Sequence, residues 1–184
     1  MSVFPAGNRG KGDSRQEHEA RLAGLYEEYY DRIARYAYVH IGDRPDAEDL
    51  AGDVFLKALQ SLGSYEERGI PMQAWLFRIA HNMVVDYLRK KTKVKSVPID
   101  SVTLPATDDP TRLAEHNIEM ARVSQAMQQL TPDQRAVVGL RFFAGLSSKE
   151  VGDLLQKSDG AVREMQRAGL EKLRRLLNTG GETA

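Results

Sequence analysis

Between Ala74 and Lys91 the chain reads AWLFRIAHNMVVDYLRKK. At the helical advance of about 100° per residue, Trp75, Leu76, Ile79, Ala80, Met83 and Tyr87 share one apolar face. Arg78, Asn82 and Arg89 line a single flank, which runs into the cations Arg89, Lys90, Lys91 and Lys93. That stripe has the chemistry to grip an anionic strand. The guanidinium groups pair with phosphate, and the asparagine amide offers both a donor and an acceptor to a base edge. Tyr65 and Arg68, in the loop just before the helix, add a ring for stacking and a cation for phosphate. His81 and Val85 are expected to face outward, and Asp86 to sit at the core edge as a structural hydrogen-bond partner. No second histidine or carboxylate stands at ligand spacing from His81, so no metal is expected. A solvated flank without a ligand is the plainer reading of the same pattern.

A second cluster lies near the C-terminus. Val151, Leu154 and Leu155, with Leu146, have the spacing of a short packed helix. Val162, Leu170, Leu173 and Leu177 have the spacing of a longer one, and KSDG makes a turn between them. Short helix, tight turn, longer amphipathic helix is the order of a helix-turn-helix. Arg163, Glu164 and Arg167 then point outward from the first turns of the second helix, the part that enters a major groove. Ser147, Ser148 and Lys149, at the start of the first helix, offer hydroxyl and N–H groups to phosphate. The acids Asp159 and Glu164 repel phosphate. A helical hairpin that only packs is the alternative.

Helices must position both clusters. On α-helical spacing, Leu22, Leu25, Tyr26, Tyr29, Ile33 and Ala37 form one stripe, and Ala47, Leu50, Ala51, Val54, Phe55, Ala58, Leu59 and Leu62 form another. Asp46 is the expected N-cap of the second. Asp49, Gly52, Asp53, Leu56 and Gln60 fall opposite its apolar stripe. Leu56 is thus an exposed apolar residue ringed by acids, either a protein-contact patch or a stray surface leucine. TPDQ at Thr131–Gln134 and SSKE at Ser147–Glu150 fit the capping box, so helices should begin near Pro132 and Ser148. Asp109 can cap another, with Pro110 at its first position.

The chain has 184 residues, enough for one domain or two small ones. With no cysteine, disulfides, thiolate zinc sites and cysteine nucleophiles are excluded, and a reducing cytoplasm is compatible. No apolar run reaches the ~18 residues of a membrane helix. The N-terminal MSVFPAGNRGKGDSRQ lacks the apolar region of a signal peptide. A net charge of zero hides segregation: residues 43–67 carry −5 and residues 71–95 carry +5. Such asymmetry suits one basic partner and one polyanionic partner, or two solvated faces that differ. The expected architecture is all-α, two small helical domains joined by a flexible linker. The expected bounds are a disordered arm at 1–15, a first domain at 16–93, a proline-containing linker at 94–110 and a helix-turn-helix domain at 111–180. No Gly-rich phosphate loop, metal cluster or nucleophile–base pair supports an enzyme or a cofactor.

Taken in order, DAEDLAGDVFLKAL, AWLFRIAHNMVVDYLRKK and GLSSKEVGDLLQKSDGAVREMQRAGLEKLRRL resemble the bacterial sigma-70 family, specifically its small extracytoplasmic-function group. The resemblance spans roughly Leu22–Leu177. It implies a promoter-specificity subunit of RNA polymerase, not itself catalytic and without a cofactor, acting in the cytoplasm. In that reading Glu48, Asp49, Asp53 and Leu56 dock on the β′ clamp helices of the polymerase core. The loop bearing Tyr65 and Arg68 captures an unstacked base of the promoter −10 element, and Arg78, Asn82, Arg89 and Lys90 hold the same element as it melts. The linker threads toward the active-site and RNA-exit channels. Ser147, Ser148, Lys149, Arg163, Glu164 and Arg167 belong to the −35 reader, with the β flap on the back of the domain. An anti-sigma protein is a further implied partner, and membrane insertion is not implied. Gly52 and Asp53 depart from residues usual in the family; so do Glu164 and Met165, and the −35 preference therefore does not carry over. A stand-alone helix-turn-helix regulator is the competing reading.

Overall fold

In a computed structural model, residues 9–65, 70–94 and 110–179 are described, and every regular element among them is helical. They form α1 (Arg9–Ile41), α2 (Arg44–Ser61), α3 (Met72–Val94), α4 (Pro110–Gln128), α5 (Pro132–Phe142), α6 (Ser148–Leu155) and α7 (Asp159–Thr179), with a 3-10 turn at Leu62–Ser64. α1 begins at Arg9, inside the stretch 1–15 where a disordered arm was expected. Once a helix is nucleated, each further residue adds a hydrogen bond, and no proline stands between Arg9 and Ile41 to stop it. Of the linker expected at 94–110, residues 95–109, with the Asp109 cap, lie outside the described residues, and the ends Val94 and Pro110 belong to α3 and α4.

Local chemistry sets most of the helix starts. Asp43, not Asp46, caps α2: its carboxylate accepts the Asp46 N–H at 3.0 Å. Pro45, in the first turn, needs no hydrogen bond to its nitrogen. Both expected capping boxes form. The Thr131 hydroxyl accepts the Gln134 N–H while the Gln134 side chain accepts the Thr131 N–H. Ser147 and Glu150 exchange the same pair of bonds.

The first three helices pack as one unit and α5, α6 and α7 as another, with α4 against α7. In the first unit Ile33, Ala37, Ala51, Val54, Leu76, Phe77, Ala80 and Val84 are closed to solvent. The second buries Val137, Leu140, Leu146, Val151 and Val162. Leu170, expected on the apolar side of α7, is exposed, and Gly169 beside it takes the buried place against Val138. The two units touch through α1, which packs on α4 and α5. One buried cluster runs without a break from Leu22 to Val162. A second joins Val39 of α1 to Met127, Leu130, Val138 and Leu173.

The bend between α6 and α7 turns on Gln156, whose left-handed backbone (φ 56°) ends α6. The Lys157 N–H then donates to the Gly152 carbonyl at 2.9 Å. This return brings the chain so close that a Cβ at Gly152 would lie 2.5 Å from the Lys157 carbonyl oxygen. A backbone oxygen cannot swing aside. Gly152→Ala should therefore cost about 1–3 kcal/mol in urea denaturation. Gly160→Ala, at a position with nothing within 4 Å, should be neutral or gain up to about 1 kcal/mol from helix propensity.

Candidate protein and nucleic-acid interfaces

Three surfaces carry the residues singled out above. The first is a groove of about 760 Å³ between α1 and α2. Leu56 stands in it, 59 % exposed, with Tyr26 at 48 % and Leu59 at 46 %. Glu19, Glu48, Asp49 and Asp53 line the same groove. Tyr26 and Leu59 correct the expectation that both are core residues. Tyr26 leans its ring on Phe55 at 4.9 Å and on Tyr30 at 5.2 Å, so these rings floor the groove instead of filling the interior. Leu56 is thus one part of an apolar patch rimmed by acids. The Tyr30 hydroxyl donates to the Glu48 carbonyl at 3.2 Å. Partial burial, then the nearby Tyr26, Glu48 and Asp49, push its pKa above the usual phenol value. The Glu48 carboxylate pairs with Arg44 at 2.9 Å. Glu48, Asp49 and Asp53 are all exposed, and Glu19 is half-buried. Helical period alone could not separate Tyr26 and Leu59 from the buried stripe, because what exposes them is the gap between two helices.

The second surface is the cationic flank of α3. Asn82, Val85, Arg89 and Lys90 are exposed along it. Arg78 is half-buried and shares a small crevice with Glu150, Asp153 and Leu154 of α6. Three expectations change here. Tyr65 is buried: its hydroxyl donates to the Ile70 carbonyl at 3.1 Å, and its ring lies 5.0 Å from Trp75 and 5.2 Å from His18. Its ring is packed inward and presents no open face for stacking. Asp86 is exposed and holds Arg89 at 3.0 Å, so it screens the stripe instead of bracing the core. His81 does not face solvent. Its Nδ1 lies 2.8 Å from the Tyr36 hydroxyl, and burial pulls its pKa down, against a smaller opposing pull from Asp133. Arg68 lies outside the described residues. The tie between α2 and α3 is a residue pair the sequence did not flag, the Tyr87 hydroxyl on the Asp46 carboxylate.

The third surface is the outer face of α7 with the start of α6. Arg163, Glu164 and Arg167 all point to solvent, as their spacing predicted. Each arginine is held by an acid of its own helix, Arg163 by Asp159 at 2.5 Å and Arg167 by Glu164 at 2.7 Å. The hydrogen bond from Arg167, then its charge, holds the Glu164 carboxyl below the usual range. Ser147 spends its oxygen as an N-cap acceptor but keeps its O–H proton to donate. Ser148 lies 3.5 Å from the Arg163 guanidinium, and Lys149 is exposed.

Fold and surfaces together define a class: a helix-turn-helix protein in two helical units, the first bearing an acid-rimmed apolar groove and a separate cationic stripe. Comparison with known proteins makes this narrower. Residues 25–94 match the family model "Sigma-70 region 2", and residues 126–175 match "Sigma-70, region 4". The chain is 33 % identical over 166 residues to the ECF RNA polymerase sigma factor BldN of Streptomyces coelicolor, covering 88 % of this chain and 62 % of that one. To SigX of Bacillus subtilis, also named an ECF RNA polymerase sigma factor, it is 29 % identical over 157 residues, covering 82 % of this chain and 80 % of the relative. The fold is similar to that of CnrH, solved with the cytosolic domain of CnrY. The TM-score is 0.68 at 24 % identity, over 92 % of this chain and 95 % of that one. It is also similar to that of RpoE from Bartonella quintana, solved with the anti-sigma factor NepR. There the TM-score is 0.66 at 23 % identity, over 86 % of this chain and 97 % of that one. The chain belongs to the sigma-70 family.

The pairing on α7 generates a prediction. Glu164→Ala releases Arg167 and removes a charge that repels phosphate. Binding of the full chain to duplex DNA should tighten on the order of threefold, with the salt slope of log K steeper by about one. Fluorescence anisotropy at two salt concentrations measures both.

Proposed function

We propose that the chain is an extracytoplasmic-function sigma factor, a subunit that directs RNA polymerase core to particular promoters and helps open them. One observation carries this reading. In a chain matched by sigma-70 regions 2 and 4, an acid-rimmed apolar groove and a cationic stripe occupy separate faces of the region 2 unit. That unit can therefore hold a basic helical protein and a nucleic-acid strand at once.

In this assignment Glu48, Asp49, Asp53 and Leu56, widened by Tyr26 and Leu59, take the β′ clamp helices of the core. Apolar contacts supply the affinity and the acids supply orientation and on-rate. Asn82, Arg89 and Lys90, with Arg78 when it is uncovered, hold the −10 strand. Arg68 is kept as a phosphate contact on the loop, and Tyr65, packed inward, is not kept as a stacking contact. Capturing a flipped base costs a few kcal/mol of unstacking, and strand contacts worth ~1–3 kcal/mol per base can offset it without ATP. Ser147, Ser148, Lys149, Arg163 and Arg167 take the −35 duplex, with Glu164 a restraint on it. The domain division proposed is 16–93 and 111–180 with the linker at 94–110. The polymerase performs the chemistry, and this chain supplies selection. The place of action is the cytoplasm, and no helix among the described residues is long and apolar enough to cross a membrane. CnrY and NepR, partners of the structural neighbours, support an anti-sigma protein as a further partner here.

Two substitutions separate the surfaces. Asp53→Arg should weaken binding to core polymerase about tenfold in a pull-down or anisotropy titration, through one reversed charge at a protein interface. Unchanged affinity would remove the groove from the core-binding role. Asn82→Ala should leave core binding intact and cost about 1–3 kcal/mol in open-complex formation or −10 selectivity, the worth of a base-edge contact.

A further inference from the structure

Arg141 stands at the end of α5, and none of the three surfaces above uses it. We propose that Arg141 positions the DNA-facing parts of the helix-turn-helix. Its guanidinium ties the entry of α6 and the first turns of α7 to α5, and so sets the spacing at which Ser148, Lys149, Arg163 and Arg167 meet a duplex. It acts through those residues and touches no phosphate itself. This rests on the assignment of α6 and α7 to the −35 duplex.

The guanidinium reaches two elements at once. Its Nε–H donates to the Gln166 side-chain oxygen on α7 at 2.9 Å, and Nη1 donates to the Leu146 carbonyl just before α6. Arg141 is half-buried between them. A guanidinium has donors only, so Gln166 must turn its oxygen, not its nitrogen, toward Arg141. The other acceptor lies where the chain reverses between α5 and α6. There Gly145 takes a left-handed backbone (φ 67°), and the Leu146 N–H returns to the Leu140 carbonyl at 3.3 Å. The Leu146 side chain is closed to solvent. A carbonyl at such a place needs a donor, and Arg141 supplies it. The next residue, Ser147, is the N-cap of α6. Holding the Leu146 carbonyl therefore holds the first turn of α6, with Ser148 and Lys149.

Gln166 carries the same constraint to α7. It stands three residues after Arg163 and one before Arg167, in the turn that bears both. One turn further on, α5 and α7 approach closely, since a Cβ at Gly169 would lie 3.0 Å from Val138. At the far end of α5 the Asp133 carboxylate pairs with Lys157 at 2.7 Å, but Asp133 is largely exposed there. Exposed pairs contribute little, so the tie at the DNA-facing end is the stronger one. Arg163 comes within 3.5 Å of Ser148, which puts the two DNA-facing helix starts on one shared edge. Base readout needs Arg163 and Arg167 at base edges while Ser148 and Lys149 reach the backbone. Such a set works when its members are held within about 0.5 Å by supporting hydrogen bonds. A planar guanidinium fork fixes direction as well as distance.

The test uses holoenzyme assembled from core polymerase and the full chain. One probe is a fluorescein-labelled duplex from an upstream region that gives a new start in run-off transcription. The other is the same duplex with its −35 stretch scrambled. The ratio of the two affinities reads base recognition. Arg141→Met should lower that ratio about tenfold, the worth of one hydrogen bond to a charged group. The salt slope of log K should not change, because no phosphate contact is lost. Arg141→Lys keeps the charge and loses the fork, and should lower the ratio nearly as far. Gln166→Met removes one acceptor; it should lower the ratio about threefold and add nothing in the Arg141→Met background. Thermal melts check folding, and Gln166→Met carries the test if Arg141→Met unfolds. An unchanged ratio in the variants, or losses that add in the double variant, overturns the tie. Arg141→Lys with the ratio of the unsubstituted protein overturns it as well. Equal weakening on both duplexes, with a slope shallower by about one, puts Arg141 on a phosphate and overturns the positioning role. Failure of the −35 assignment looks different: the unsubstituted holoenzyme would bind both duplexes equally, which overturns that assignment and this inference with it before any variant is made.

Discussion

Helix α1 is the constraint on which the rest of the molecule depends, because it is buried on two sides by different partners. Ile33 and Ala37 belong to the three-helix unit that carries the groove and the stripe. Val39, two residues on, belongs to the cluster with Met127, Leu130, Val138 and Leu173 of the other unit. Tyr36 and His40 sit between them. One rigid helix therefore fixes where the acid-rimmed groove stands relative to the helix-turn-helix, and any rearrangement of the two units must expose part of this helix. Burying a large apolar side chain is worth about 1.5–3 kcal/mol, so parting the two units costs several such side chains unless a partner covers them.

Electrostatics divides the labour without setting the fold. The acidic α2 and the basic α3 lie side by side, and their cores are apolar. The charges stay at the surface, where local pairs such as Arg44–Glu48, Arg89–Asp86 and Arg167–Glu164 form along single helices. Exposed pairs of this kind contribute little to stability. On the two surfaces proposed to meet DNA, such pairs hold Arg89 and Arg167, and a phosphate would have to compete with Asp86 and Glu164 for them.

Much of the fold was legible in the sequence because its signals are local. Thr131 with Gln134 and Ser147 with Glu150 mark helix starts through bonds that span three residues, and both formed. Asp43 and Asp46 are both residues that can cap, and the extended backbone at Asp43 gives it the role. The outward face of α7 followed from period alone. The contact between the two units did not. His81 and Val85 lie on one side of α3, and the period gives them the same exposure. Only the approach of Tyr36 and α5 buries His81 and leaves Val85 in solvent. Tyr65 misled for the opposite reason, since a tyrosine in a loop beside cations resembles a stacking platform until its hydroxyl finds Ile70. Tyr26 and Leu59 fit the apolar stripes and line a groove, because a stripe wider than its partner helix leaves an edge uncovered.

The central claim is that these surfaces serve one purpose, the delivery of RNA polymerase to chosen promoters. Run-off transcription tests it most directly, with purified core polymerase and the upstream regions of the host's own genes as templates. The account predicts new transcript starts only when the protein is present, each preceded by a shared pair of elements at −35 and −10 spacing. Transcripts identical with and without the protein across that whole set would contradict it.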